Sequence, residues 1–541
     1  MKRELTPYQK EALDYSSNIL LTANAGSGKT FVLAKRFVEI LLNKNTELEN
    51  IVAITFTDKA AGELNKRIAL EIDNRLEYEA DEIKRKKLEN SRRQLVSANI
   101  STIHSFCINI LKEFAPEAGI DVSFTPIDQN TSNELIQLSI DEAINDLISD
   151  KEKSEELKYL VRFFGSKNLV VTHLTNAVYQ RKTINQHLKE IYSNKEEEIS
   201  RYFQNTFENL FEILFNKKII EAVNCAEIIN NHVLNQSKGN ELAGEIAKFI
   251  NEIRSIDFLF EKFKTLRKID LNLFTQKGEV KNRGYLSKDR DKYESEIKKI
   301  ENIFSDLRPF IEIEEPDKSS LELAKFGKIF LSVFEYAAQI YSGKKNQKGF
   351  LDFEDILLYA QEVIKLDEVR EYLKNKFSYI MIDEYQDTNE LQYKIFMPVL
   401  DNLKHGNLFV VGDEKQSIYM FRDADLRVFN KTKEDIKSSV DGGKLLNLPH
   451  SFRMAPQLVL FTNKLFAKLF ENHQPIYNEV EYNELICAKA ENESAKVEFL
   501  LADKEKEIKE AELVAGKIIE LITNGDAELK DIGILCRKRN L

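Results

Sequence analysis

The segment Ala23-Asn24-Ala25-Gly26-Ser27-Gly28-Lys29-Thr30 stands between a short apolar run, Asn18-Ile19-Leu20-Leu21-Thr22, and a stretch that opens on Phe31, Val32 and Leu33. A strand, a loop of small residues and a helix in that order constrain the fold more than any other feature of the chain. Small residues let successive backbone N–H groups converge on an anion at a helix N-terminus. Lys29 then reaches the β- and γ-phosphates of a nucleoside triphosphate, and the Thr30 hydroxyl is placed for Mg²⁺. Ala23 takes the place of the first glycine in the strict G-x-x-x-x-G-K-[ST] pattern, so the formal motif is missed and a glycine-rich turn is the competing reading. The expected phosphate cradle is Ala25, Gly26, Ser27, Gly28, Lys29 and Thr30.

The same strand-then-helix grammar recurs. Ile51-Val52-Ala53-Ile54-Thr55-Phe56 and Asn99-Ile100-Ser101-Thr102 follow the loop, and Tyr379-Ile380-Met381-Ile382 and Leu408-Phe409-Val410-Val411 return to it much later. Continuous apolar strands alternating with helices predict an α/β fold with a parallel sheet covered on both faces. Between the two sets no proline occurs from Pro126 to Pro309, and Ile136, Ile140, Ile144 and Leu147, then Leu242, Ile246, Phe249 and Ile253, recur at helical spacing. A large α-helical insertion therefore interrupts the sheet. Mixed charge runs within it, such as Lys195-Glu196-Glu197-Glu198, read as solvated helix faces.

A chain of 541 residues exceeds one core, at roughly 100–200 residues per domain. The expected division is 1–115 and 346–455 for the two parts of the first sheet domain, 116–345 for the insertion, and 456–541 for the start of a second sheet domain. That last segment offers helices around Val459 to Leu469 and Ile508 to Ile522 and strands at 497–501 and 532–536. It is too short for a second complete sheet, so a truncated domain is expected.

A formal net charge of −11 argues against a protein that grips nucleic acid by overall basicity, so a polyanion has to meet a local basic groove. Four dispersed cysteines with no CxxC pair point to reduced thiols. No apolar run approaches the roughly 18–20 residues of a membrane span, and the N-terminus lacks a secretory pattern. A cytoplasmic protein with no membrane partner is expected.

Asp383-Glu384 ends the run 379–382, at the carboxyl edge where a parallel sheet presents side chains to ligands. An Asp-Glu pair alone is more often an exposed turn. In a chain with a phosphate loop, Asp383 is the expected Mg²⁺ carboxylate and Glu384 the group that orients and deprotonates an attacking water.

Eight segments in order resemble the UvrD/Rep-like superfamily 1 DNA helicases, and within them the AddA and RecB type. They are Leu5 to Gln9, Ala23 to Thr30, Ile54 to Ala61, Ser101 to Phe106, Leu351 to Asp355, Ile382 to Thr388, Gly412 to Arg422 and Asn447 to Arg453. The resemblance implies a RecA-like P-loop NTPase sheet followed by the start of a second RecA-like domain, with ATP and Mg²⁺ as cofactors. It implies that Gln9 reads adenine and Phe452 stacks on it, that Gln416 senses the γ-phosphate and that Arg453 is an arginine finger. Gln9 as an ordinary surface residue and Arg453 in a surface salt bridge are the plainer readings.

A single strand is held by hydroxyl contacts to phosphates and by aromatic faces on which bases stack. Thr55-Phe56-Thr57 supplies that combination, as does Thr102-Ile103-His104-Ser105-Phe106. The resemblance implies that Phe56, Tyr419 and Phe421 line base pockets, that Thr55, Thr57, Thr102, His104 and Ser105 meet the backbone, and that Arg422 belongs to the same DNA-binding set. Phe106 reads equally as core. Asp352, Glu354 and Asp355 read as N-terminal residues of a helix, complementing its dipole. Lys84-Arg85-Lys86-Lys87 with Arg92-Arg93, and Lys344-Lys345 with Lys348, are candidate duplex or partner contacts.

The expected function is an ATP-dependent DNA helicase or translocase in repair or recombination, moving 3′ to 5′ on single-stranded DNA or at a single-strand/duplex junction. The alternatives are a component of a helicase–nuclease complex, with a nuclease partner and its nuclease domain lying beyond these residues, and an ATP-binding DNA scaffold without turnover.

Overall fold

The computed structural model describes residues 5–43, 46–151, 153–237, 240–256, 259–281, 285–286, 290–312, 316–420, 424–439, 442–471, 479–489, 495–502 and 510–536. The chain divides into two compact units, Met1–Phe124 with Phe353–Leu541, and Thr125–Asp352. The sequence-based division set the insertion at 116–345.

Ten strands lie among the described residues: β1 (Ile19–Ala23), β2 (Ile51–Thr55), β3 (Asn99–Thr102), β4 (Thr125–Pro126), β5 (Phe350–Leu351), β6 (Tyr379–Ile382), β7 (Leu408–Gly412), β8 (Lys444–Leu448), β9 (His450–Ser451) and β10 (Ile486–Cys487). Six of them form the sheet of the first unit in the order β3-β2-β6-β7-β1-β8. Every pairing in it is parallel. All five residues of β2 and of β7 are buried, as strands covered on both faces must be. Because the strands share one direction, Ala23, Thr55, Thr102, Ile382 and Gly412 all end at the same edge. The loops expected to carry chemistry therefore leave the sheet together.

β8 went unrecognised in the sequence. It lies at the rim beside β1, and Lys444, Leu446 and Asn447 are only half-buried, so its apolar pattern is weak. The helix Lys29–Asn43 covers the sheet with Val32, Leu33, Phe37 and Leu41 in the core. Arg36 on that helix is buried beneath the ring of Phe409, at 4.4 Å, and donates to the carbonyls of Ala12 and Asp14. Ala12 is the C-cap of the short helix Pro7–Glu11, so this arginine anchors the element that carries Gln9.

The helices Pro456–Leu469 and Glu510–Thr523 form as the periodicity predicts. The strands expected at 497–501 and 532–536 do not: neither has a ladder partner among the described residues, and Leu501 and Leu535 are 85% and 100% exposed. An extended segment becomes a strand only when a neighbour takes its hydrogen bonds. Here the short β9–β10 ladder is all that pairs among the described residues.

The second unit is helical, built on Gln129–Ser149, the 41-residue helix Glu196–Gln236 and the 33-residue helix Pro316–Lys348. Ile136, Ile140, Ile144 and Leu147 are buried in one apolar cluster, and Ile246 and Ile253 in another, as their spacing predicts. The β4–β5 ladder closes the unit where the chain enters and leaves it.

Asp352 lies at that closure, directly before the helix Phe353–Ile364 whose first turn carries Glu354 and Asp355, the helix N-terminus the sequence predicts. It is also buried, at 4% exposed. It accepts Arg181 at 2.7 and 2.9 Å, Lys345 at 2.8 Å and the Tyr341 hydroxyl at 2.7 Å. Burying a carboxylate demands such partners. Of the basic cluster around it, Lys345 is 2% exposed and Lys344 is paired with Glu142, while Lys348 is exposed. Among the described residues no helix is long and apolar enough to cross a membrane.

Candidate nucleotide site and aromatic platform

The phosphate loop leaves β1 and enters the helix Lys29–Asn43 at its first turn. Gly26 and Gly28 adopt φ of +76° and +88°, left-handed values that side chains with a Cβ disfavour. A Cβ on Gly26 would come within 2.7 Å of the Cβ of Arg453. The loop is thus packed against the segment after β8. The Phe452 amide donates to the Gly26 carbonyl at 2.9 Å, and the Ser451 hydroxyl to Ala25 at 3.3 Å.

Gln9 is buried on the other side. Its side-chain carbonyl closes a capping box with Thr6, while its amide Nε2 donates to the Ser27 carbonyl at 3.1 Å. Tyr8, His450 and Phe452 form a ring row beside it, with centroids 5.6 and 6.4 Å apart in succession. Gln9 and Phe452 therefore meet the same loop from two sides, and Arg453 is exposed next to Gly26.

Lys29 Nζ lies 3.0 Å from Glu384 Oε2. Asp383 and Glu384 follow β6, and Glu384 adopts φ 51°, ψ 44°, the left-handed region, while its amide donates to Asp383 Oδ1 at 3.0 Å. Such strain in a non-glycine residue collects at functional sites. Burial and the neighbouring Glu384 push the Asp383 carboxyl up to about 6, against the pull of Lys29. Burial also raises Asp387 to about 6, helped by Glu384. For Glu384 itself burial acts upward, but the Lys29 charge and donors from Gln386 and Lys29 outweigh it and hold the carboxyl below its ordinary range. Two adjacent carboxylates are thus separated in proton affinity, with Glu384 ionised.

Gln416 reaches the same edge on the turn Glu414–Gln416 after β7, where its Nε2 donates to the buried Asp413 at 2.7 Å. Lys415 pairs with Asp413 at 3.0 Å. Sequence reasoning passed over Gln386, Asp387 and Asp413. Only their places inside the Ile382–Thr388 and Gly412–Arg422 segments marked them.

The residues present fit a magnesium nucleotide. Asn24 Nδ2 and Oδ1, Ser27 Oγ and Asp387 Oδ1 are buried polar atoms without a hydrogen-bond partner among the described residues, an arrangement that native chains keep where a ligand or water answers it. Thr30 is half-buried at the start of the helix. Asp383 is a carboxylate whose raised proton affinity a cation would relieve. Magnesium bound with phosphates needs only one or two protein carboxylates. Among the described residues no cluster of three or more His, Cys, Asp or Glu forms an independent metal cage.

Phe56 follows β2 and Tyr419 follows β7, and their rings meet with centroids 4.7 Å apart, tilted by 32°. Ile418 and Met420 beside Tyr419 are exposed. The hydroxyls expected to meet a DNA backbone have internal work as well. Thr55 is buried and donates to the Thr57 carbonyl, Thr57 caps the helix Asp58–Leu76, and Thr102 caps Ile103–Glu113 and exchanges a 3.0 Å bond with Ser105. His104 packs edge-on against Phe353 at 4.9 Å. Burial pushes its imidazole down to about 4 against the pull of Asp58, so it is neutral at physiological pH. Phe106 is core, against Phe377 and Phe396. Phe421 and Arg422 lie outside the described residues.

A sequence model of the UvrD/REP helicase N-terminal domain matches residues 5–437. The chain is 28% identical to an ATP-dependent helicase/nuclease subunit of Ligilactobacillus salivarius, over 99% of this chain and 47% of that protein. It is 29% identical to the protein of the same name in Streptococcus sanguinis, over 99% and 46%. The exonuclease/helicase subunit RexA of Lactococcus lactis subsp. cremoris is 29% identical, over 86% and 40%. The chain thus spans about half the length of the curated relatives it matches.

Proposed function

The chain belongs to the UvrD/REP helicase family, and from that premise we propose that it is the ATP-hydrolysing motor portion of a DNA helicase that tracks along single-stranded DNA. The observation that carries this reading is the shared sheet edge. Lys29 of the phosphate loop pairs there with Glu384 beside Asp383, Gln416 leaves the same edge on the turn after β7, and the Phe56–Tyr419 platform follows β2 and β7.

Under this reading Lys29 binds the β- and γ-phosphates, Thr30 and Asp383 hold Mg²⁺, and Glu384 orients and accepts a proton from the attacking water. Gln9 and Phe452 bind the base, Gln416 stands at the γ-phosphate, and Arg453 offers a permanently charged planar donor set. Magnesium supplies charge neutralisation of the phosphates. Phe56 and Tyr419 stack bases, with Phe421 and Arg422 completing the contact, while Thr55, Thr57, Thr102, His104 and Ser105 bound the backbone path. Segments 1–115 and 346–455 serve as one motor domain around the insertion 116–345, and 456–541 begin the second.

The relatives named as helicase/nuclease subunits support a second reading, in which the chain works within a helicase–nuclease complex beside a partner protein. We place it in the cytoplasm on the sequence reading alone. Movement is assigned as 3′ to 5′ by resemblance to the family.

The test is phosphate release from Mg-ATP with and without oligo(dT), for the chain and for the chain continued to the length of its relatives, each with Lys29→Ala. Stimulation by DNA that Lys29→Ala abolishes supports the motor. ATP and oligo(dT) binding with no turnover in either length makes the protein a scaffold instead.

A further inference from the structure

Gln386 is 3% exposed and engages both ends of its side-chain amide. Its Nε2 donates to Glu384 Oε2 at 2.9 Å, and its Oε1 accepts from the Asp413 amide at 3.0 Å. Its backbone carbonyl accepts the Ser417 hydroxyl at 3.2 Å. Asp413 and Ser417 flank the turn Glu414–Gln416 on either side. Two residues past Ser417 stands Tyr419, whose ring meets Phe56.

The amide is wedged as well as bonded. A Cβ on Gly412 would come within 2.8 Å of Gln386 Oε1, so the end of β7 has no room for a side chain and the turn is held directly against the amide. Glu384, at the other end of this connection, sits in a strained left-handed conformation and shares its Oε2 between Lys29 and Gln386. Any ligand that draws Lys29 away from Glu384 changes what that oxygen bonds to. A buried amide with donor and acceptor both committed cannot follow one partner without loading the other.

We propose that Gln386 is the positioning residue that couples the nucleotide carboxylate Glu384 to the turn carrying Gln416 and the Phe56–Tyr419 base platform. It touches neither nucleotide nor DNA. It sets where the platform stands according to what Lys29 and Glu384 bind, so that the affinities for ATP and for single-stranded DNA depend on each other. The inference rests on the function proposed above.

The experiment measures the affinity of the chain for a non-hydrolysable ATP analogue with Mg²⁺, alone and with saturating oligo(dT) carrying 2-aminopurine, and reads the base fluorescence as nucleotide is added. Linkage makes the two affinities change by one common factor, typically ~5–150-fold. In Gln386→Met, which has neither donor nor acceptor, that factor falls towards about 1, by more than either single affinity falls. The nucleotide-induced fluorescence change is lost with it. Ser417→Ala, which removes one side of the bracket, lowers the factor partway. If Gln386→Met does not fold by thermal melt, Gln386→Glu keeps the size and the Asp413 contact while facing Glu384 with like charge, and it reduces the factor in the same way. A wild-type factor preserved in the variant overturns the inference and leaves the functional reading standing, as does a wild-type chain that binds both ligands without linkage. A wild-type chain that binds neither ligand overturns the functional reading, and this inference with it.

Discussion

Lys29 Nζ and Glu384 Oε2 lie 3.0 Å apart although 355 positions of chain separate the two residues. Sheet order makes the meeting possible. β7 alone separates β1, which leads to Lys29, from β6, which leads to Glu384, and parallel pairing puts both loops at one edge. The helical unit of residues 125–352 lengthens the chain between them without entering the sheet.

Asp383 and Asp387 make the site pH-dependent. Both carboxyls are pushed from 3.8 to about 6, by burial first and by Glu384 second. A folded state that holds a proton more tightly than the unfolded chain is favoured below the unfolded value and loses that advantage as pH rises through about 6. Asp383→Asn is therefore expected to raise the melting temperature at pH 7.5, by an amount equivalent to roughly 1–3 kcal/mol, and to do little at pH 4. Mg²⁺ with nucleotide should stabilise the wild-type chain at pH 7.5 and fail to do so in this variant. Differential scanning calorimetry at the two pH values checks both.

The sheet was legible because its central strands are continuous apolar runs: β2 and β7, buried throughout, announce themselves. β8 did not, since a rim strand with half-buried positions carries no such run. The phosphate loop and the Asp383-Glu384 pair were legible from residue type and order. What the sequence hid were contacts between distant residues. Nothing near Asp352 shows that Arg181, 171 positions earlier, completes its bonding, and nothing near Gln386 shows that the turn after β7 leans on its amide. The segments 497–501 and 532–536 erred the other way, being apolar enough for strands but without neighbours to pair with among the described residues.

Tyr419 and Phe56 should act as a unit on DNA. Replacing either by Ala is expected to weaken binding of oligo(dT) by about 1–3 kcal/mol, the worth of one stacked base, without altering the salt dependence that phosphate contacts set. Together the two replacements should cost less than their sum, since the rings already touch. Fluorescence anisotropy over a series of salt concentrations separates the stacking loss from a phosphate loss.

Asp352 should matter to stability rather than to the nucleotide. Asp352→Ala would leave the buried Arg181 and Lys345 short of the carboxylate they share, at an expected cost of about 3–5 kcal/mol. Urea unfolding followed by circular dichroism should show an earlier transition carrying the helical signal, while affinity for the ATP analogue stays at the wild-type value.

The central claim is that Lys29 and Glu384 surround one triphosphate, and calorimetric titration of Mg-ATP tests it most directly. Lys29→Ala should lose ATP binding by at least about tenfold, as removal of a charge-assisted phosphate contact does. Glu384→Gln should bind ATP more tightly than wild type, because it frees the Lys29 ammonium and removes a negative charge beside the phosphates, with a smaller gain for ADP. Unchanged ATP affinity in both variants would contradict the account.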